Sequence, residues 1–96
     1  MLDQNKLWIC RPVKGTFSQF VPLALITLQN GVQIEYVRFT KYGLLEWEHP
    51  VTLSVDEFLH YYRMINDEEL ELVKSKVNGK GGLEIWLDEK YPDQEP

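Results

Sequence analysis

The stretch from Phe20 to His49 constrains the fold more than any other part of the chain, because its pattern asks for paired strands. Phe20-Val-Pro-Leu-Ala-Leu-Ile-Thr-Leu28 is an almost unbroken apolar run, which suits a strand covered on both faces; a strand with one wet face would alternate. Pro22 near its start and Asn30-Gly31 just past its end argue against a buried helix. Asn-Gly is also the strongest short hairpin signal, since both residues tolerate the positive φ of a tight turn. The returning segment, Val32-Gln-Ile-Glu-Tyr-Val-Arg-Phe39, puts Val32, Ile34 and Tyr36 on one face, then slips so that Val37 and Phe39 take the other. Either the strand bulges there or both of its faces are covered. Thr40 to Gly43 reads as a turn. Leu45 and Trp47, alternating with Glu46 and Glu48, predict a third strand that ends near Pro50 and sends Trp47 into the core with Trp8.

The flanking segments add one strand before this meander and helices after it. Lys6 to Arg11 reads as a strand closed by Pro12, followed by a connection from Val13 to Gln19. Ser54 with Glu57 three residues on forms a capping-box signature, and Val55, Phe58, Leu59, Tyr62 and Ile65 then recur at helical spacing, with Asp56, His60 and Arg63 opposite. Asn66 with Glu69 repeats the signature. A second helix from Asp67 to about Val77 would turn Leu70, Val73 and Val77 inward, with acidic residues in its first turn and Lys74 and Lys76 in its last, as the helix dipole favours. The Leu70/Leu72 alternation leaves a strand as the alternative for residues 67–77. After the Asn78–Gly82 loop, Leu83, Ile85 and Leu87 alternate as a last strand, and Glu89 to Pro96 is expected to be a frayed acidic tail.

The fold expected is thus α+β: one domain over residues 1–88, with an antiparallel sheet of four to five strands around a meander core and two helices between strand 4 and strand 5. Such a sheet can curl into a small barrel of the SH3-like or OB type, or stay open with both helices on one face. The 96 residues hold no apolar run near the 18–20 or so needed to span a bilayer. The first six residues lack the basic-then-apolar pattern of a signal peptide, and Cys10 is the one cysteine, so a cytoplasmic location is expected.

Little in the chain points to catalysis. His49 and His60 are the two histidines, and His60 sits one helical turn from Asp56, a spacing that ordinary surface pairs share. A dyad would require the fold to bring Cys10, Ser18 or Ser54 to one of them, and Ser54 already serves as a cap. No His, Cys or Asp pair has metal-ligand spacing, and Asp67-Glu-Glu-Leu-Glu71 lacks the glycine and spacing of a calcium loop. Gly79-Lys-Gly-Gly82 precedes a strand with no Ser or Thr after the lysine, so it is a connector rather than a phosphate cradle. No catalytic residue, cofactor or metal is therefore expected.

Charge and aromatics say more. The net charge of −5 is unevenly spread: residues 1–45 carry five basic against two acidic residues, net +3, and residues 46–96 five against thirteen, net −8. The first expectation is a non-enzymatic protein-binding module, an adaptor, regulator or inhibitor. Asp67, Glu68, Glu69, Glu71 and Glu84 would steer a basic partner and Trp86 or Tyr42 would anchor it, with imitation of nucleic acid as the sharper version. The alternative is a weak, salt-sensitive nucleic-acid binder that uses Arg11, Lys14, Arg38 and Lys41 among Phe17, Phe20 and Tyr42. An enzyme of unknown substrate comes third. A homodimer through a strand edge or Trp86 is also open.

Overall fold

The computed structural model describes residues 2–13 and 19–77. Five strands and two helices follow in the order β1 (Leu7–Cys10), β2 (Leu23–Gln29), β3 (Gln33–Arg38), β4 (Val51–Ser54), α1 (Val55–Tyr61), β5 (Tyr62–Met64) and α2 (Asp67–Lys76). The α+β class and the antiparallel sheet with a meander core are as expected. The strands form one sheet in the order β4-β3-β2-β1-β5, with every pair antiparallel, curled like half a barrel. The expected last strand (Leu83–Leu87), the Asn78–Gly82 loop and the tail lie outside the described residues.

β2 and β3 form the centre because both of their faces are covered. Leu23, Leu25, Val37 and Phe39 join Leu7 and Ile9 on one face, under Leu70 and Val73 of α2. Ala24, Ile26, Ile34 and Tyr36 join Trp8 on the other, under Phe58 of α1. The two helices therefore sit on opposite faces of the sheet, not together on one. Ala24, directly opposite Trp8, leaves room for the indole, whose Nε1 donates to the Asp3 carbonyl at 3.1 Å. The slip in the β3 pattern is both-face coverage. The bulge lies in the partner strand: Ile26 pairs with Tyr36 and Leu28 with Glu35, which leaves Thr27 as the extra residue. Its hydroxyl donates to the Glu35 carbonyl at 3.1 Å. Beyond the bulge Gln29, rather than Leu28, stands opposite Ile34, and Leu28 is left exposed.

Three expectations are corrected. The expected strand at Leu45–Trp47 reduces to a single bridge, Phe39 to Leu45, and the strand that pairs with β3 is Val51–Ser54. Pro50 thus precedes a strand instead of ending one, a position its missing N–H tolerates. Trp47 is consequently 58% exposed and not in the core. The first helix also stops early: α1 ends at Tyr61, where the Tyr62 N–H donates to the Phe58 carbonyl, and the chain extends at once into β5 against β1. Tyr62 and Phe58 still reach the same core because the strand takes over the face that the helix had been filling.

Both N-caps are present as read, and the box closes in both directions at Asn66. Ser54 Oγ accepts from the Glu57 N–H at 3.1 Å. Asn66 Oδ1 accepts from the Glu69 N–H at 2.8 Å, while the Glu69 carboxylate accepts from the Asn66 N–H at 3.1 Å. Residues 67–76 are a helix, which decides against the strand alternative. No helix among the described residues is long and apolar enough to cross a membrane.

Candidate binding loop

The connection from Phe39 to Pro50 carries the densest group of exposed large apolar side chains among the described residues: Tyr42, Leu44 and Trp47, at 58%, 49% and 58%. Their exposure on a segment held by backbone hydrogen bonds makes this connection a candidate contact surface. Order comes from backbone bonding. The Thr40 N–H donates to the Leu44 carbonyl at 2.8 Å and the Gly43 N–H to the Thr40 carbonyl at 3.0 Å. Thr40 Oγ1 accepts from the Leu44 N–H at 3.1 Å. Gly43 supplies the positive φ of 86° that closes this turn. Below it, the Phe39–Leu45 bridge and the Glu46 N–H donating to the Arg38 carbonyl at 2.9 Å zip the arm, and the His49 N–H donates to the Glu46 carbonyl at 3.1 Å around Trp47. The Lys41 ammonium lies 5.0 Å from the centroid of the Tyr42 ring, a cation–π distance.

The acidic residues expected to steer a partner are divided by the fold. Asp67, Glu68 and Glu71 are exposed on α2. Glu69 is not available to a partner: its side chain is fully buried and takes a two-pronged ion pair from Arg63, both N–O distances being 2.8 Å. Arg63 also donates to the Val13 carbonyl at 2.8 Å, so the pair ties β5, α2 and the segment after β1 together. α2 begins beside the Leu7 end of β1, since the Ile65 N–H donates to the Leu7 carbonyl, whereas Tyr42 sits beyond the Cys10 end. Tyr42 and the acidic turn of α2 therefore belong to different ends of the sheet. Glu84 and Trp86 lie outside the described residues.

The basic set fares differently. Arg11, Arg38 and Lys41 are all exposed near the same end as the loop. Arg11 is engaged there: its Nε donates to the Leu59 carbonyl at 2.6 Å, satisfying an otherwise open acceptor at the end of α1. Phe20 is 4% exposed within the core, so it offers no stacking face. Lys14 and Phe17 lie outside the described residues.

Among the described residues no hydrogen bond joins Cys10 or Ser54 to either histidine, and Ser18 lies outside them. Ser54 is a cap, His49 and His60 are exposed, and the His60 ring meets the edge of Tyr61 at 5.0 Å. Among the described residues no three His, Cys, Asp or Glu side chains gather to hold a metal ion. Cys10 and Tyr36 surround the Tyr62 hydroxyl, and burial, followed by those two neighbours, pushes the Tyr62 phenol well above its ordinary value of 10.0. A raised phenol stabilises the fold fully below the unfolded value, and that contribution is lost as the pH climbs above it. Unfolding free energy should accordingly fall by about 1 kcal/mol more in the parent than in Tyr62→Phe between about pH 9 and pH 11. Equal slopes in denaturant titrations would remove Tyr62 as the cause.

Trp47 and Leu44 are the functional candidates that the strand pattern hid. Leu45/Trp47 and Val51/Leu53 alternate equally well, and Pro50, read as the end of the first pair's strand, fits ahead of the second pair as readily. Compared with protein-family models, with curated proteins and with solved structures, the chain finds no match in any of the three.

Proposed function

We propose that this chain is a non-enzymatic protein-binding module whose contact surface is the Tyr42–Trp47 arm. The observation that supports it is the exposure of Trp47 on a backbone-ordered loop. Trp and Tyr dominate binding energetics because a rigid ring brings much apolar area at small entropic cost, and a pre-ordered loop adds little further cost on docking. The exposed acidic residues of α2 act at most as long-range steering for a basic partner. Single-stranded nucleic acid is the second reading, favoured by Arg38 and Lys41 beside Tyr42 and Trp47; Glu46 and Glu48 on the same arm oppose it.

The test is quantitative capture from lysate with the tagged chain, with and without nuclease, comparing the parent with Trp47→Ala, Tyr42→Ala and a Glu68→Lys/Glu71→Lys double variant. Trp47→Ala should cut nuclease-resistant capture at least about tenfold while the α2 reversal changes it little. Capture unaltered by either loop variant would overturn the proposal. Capture lost to nuclease or to moderate salt would transfer it to the second reading.

A further inference from the structure

We infer that the occupant of this arm is a second copy of the same chain, paired about a two-fold axis. The inference rests on the arm being a contact surface and goes further by naming what covers it. Its basis is how charge and aromatic rings are distributed along the arm. Lys41 and Tyr42 sit together at the tip, in the turn closed by Thr40 and Leu44. Glu46, Trp47 and Glu48 sit at the base, where Glu46 bonds back to the Arg38 carbonyl. Even with the Arg38 side chain counted, the base is net negative and the tip is positive. Each end thus pairs one exposed aromatic ring with a charge opposite in sign to that at the other end.

A two-fold axis places the tip of one arm on the base of the other, and it makes the same match twice. Lys41 then faces Glu46 and Glu48, and the Tyr42 ring lies against Trp47, with Leu44 between the arms. A surface that is complementary to itself when reversed is the requirement of an isologous dimer. An arm of this length buries an area at the small end for protein interfaces, below about 1,200 Å² in total, so the dimer is weak. Its assembly opposes the repulsion of two chains of net charge −5, which added salt screens.

The charge pattern supplies its own rescue. Lys41→Glu makes both ends of the arm negative, and Glu46→Lys/Glu48→Lys makes both ends positive, so neither variant can pair with itself. Mixed together they restore opposite charges at both contacts. Sedimentation equilibrium on the purified full chain, from roughly 10 µM to 1 mM, should show dimers for the parent, monomers for each variant alone, and dimers again for the equimolar mixture. Trp47→Ala should raise the dissociation constant at least about tenfold. A parent that stays monomeric throughout overturns the inference, and Trp47-dependent capture of other proteins would still leave the arm as a binding surface. A dimer indifferent to all these variants also overturns it, because association would then use another face.

Discussion

Replacing Glu69 with alanine should lower the unfolding free energy by about 3 kcal/mol, since removing one partner of a buried ion pair strands the other. The Glu69 side chain is fully buried and that of Arg63 is 25% exposed, so the stranded guanidinium regains water only in part. Two losses combine in this variant. The ion pair disappears, and the Asn66 N–H at the start of α2 loses its acceptor. Glu69→Gln separates them: a glutamine oxygen can still accept from Asn66, so this variant should cost less, about 2 kcal/mol. Arg63→Met/Glu69→Leu removes both charges together and should recover most of the stability, because an apolar pair of similar volume incurs no desolvation. Urea unfolding of the four proteins decides the matter. If Glu69→Ala and the double apolar variant lost the same amount, the cap and local packing, rather than the unpaired charge, would carry the effect.

The same residue shows where sequence reading succeeds and where it stops. The pairing of Asn66 with Glu69, and of Ser54 with Glu57, was legible because a cap joins groups three residues apart, and local spacing alone decides it. Burial of Glu69 was not legible, because it depends on Arg63 arriving from β5, and β5 exists only through pairing with β1. Tyr62-Arg-Met64 has no strand signature of its own, and its Tyr62 continued the helical spacing of Val55, Phe58 and Leu59. The central hairpin was legible for the opposite reason: an apolar run too long to have a wet face, ended by Asn30-Gly31, allows few alternatives. The turn differs in detail from one with positive φ at both residues: Gly31 alone takes it, at 87°, while Asn30 Oδ1 accepts from the Val32 and Gln33 N–H groups at 2.9 and 2.8 Å. The binding arm was half legible. Tyr42 stood out at a turn tip, but Trp47 was assigned inward by an alternation that two successive segments share. Only the register of β4 against β3 separates them, and register is set by contacts across the sheet rather than along the chain.

Phe58→Ala is expected to be the most damaging single substitution in the aromatic core, at about 3–5 kcal/mol. Phe58 is fully buried and is the one buried residue of α1. Its ring lies edge-on to Trp8 at 5.3 Å and to Tyr36 at 5.2 Å, and stacks on Tyr62 at 4.9 Å. One ring therefore joins β1, β3 and β5, and edge-to-face contacts each add about 0.5–1.5 kcal/mol beyond the area they bury. Removing it opens a void that these three rings cannot close without leaving their own partners: Trp8 is held by the Asp3 carbonyl and Tyr36 packs against Tyr62. Leucine at the same position refills much of the volume without the ring geometry, so Phe58→Leu should retain roughly half of the lost stability. The arm is tied by its own backbone bonds, so Trp47→Ala should shift the unfolding midpoint little while Phe58→Ala shifts it strongly. Thermal or urea unfolding of both variants distinguishes residues that hold the fold from residues that it displays. A Trp47→Ala variant as unstable as Phe58→Ala would mean that the exposed tryptophan is structural, and would remove the main support for the arm as a binding surface.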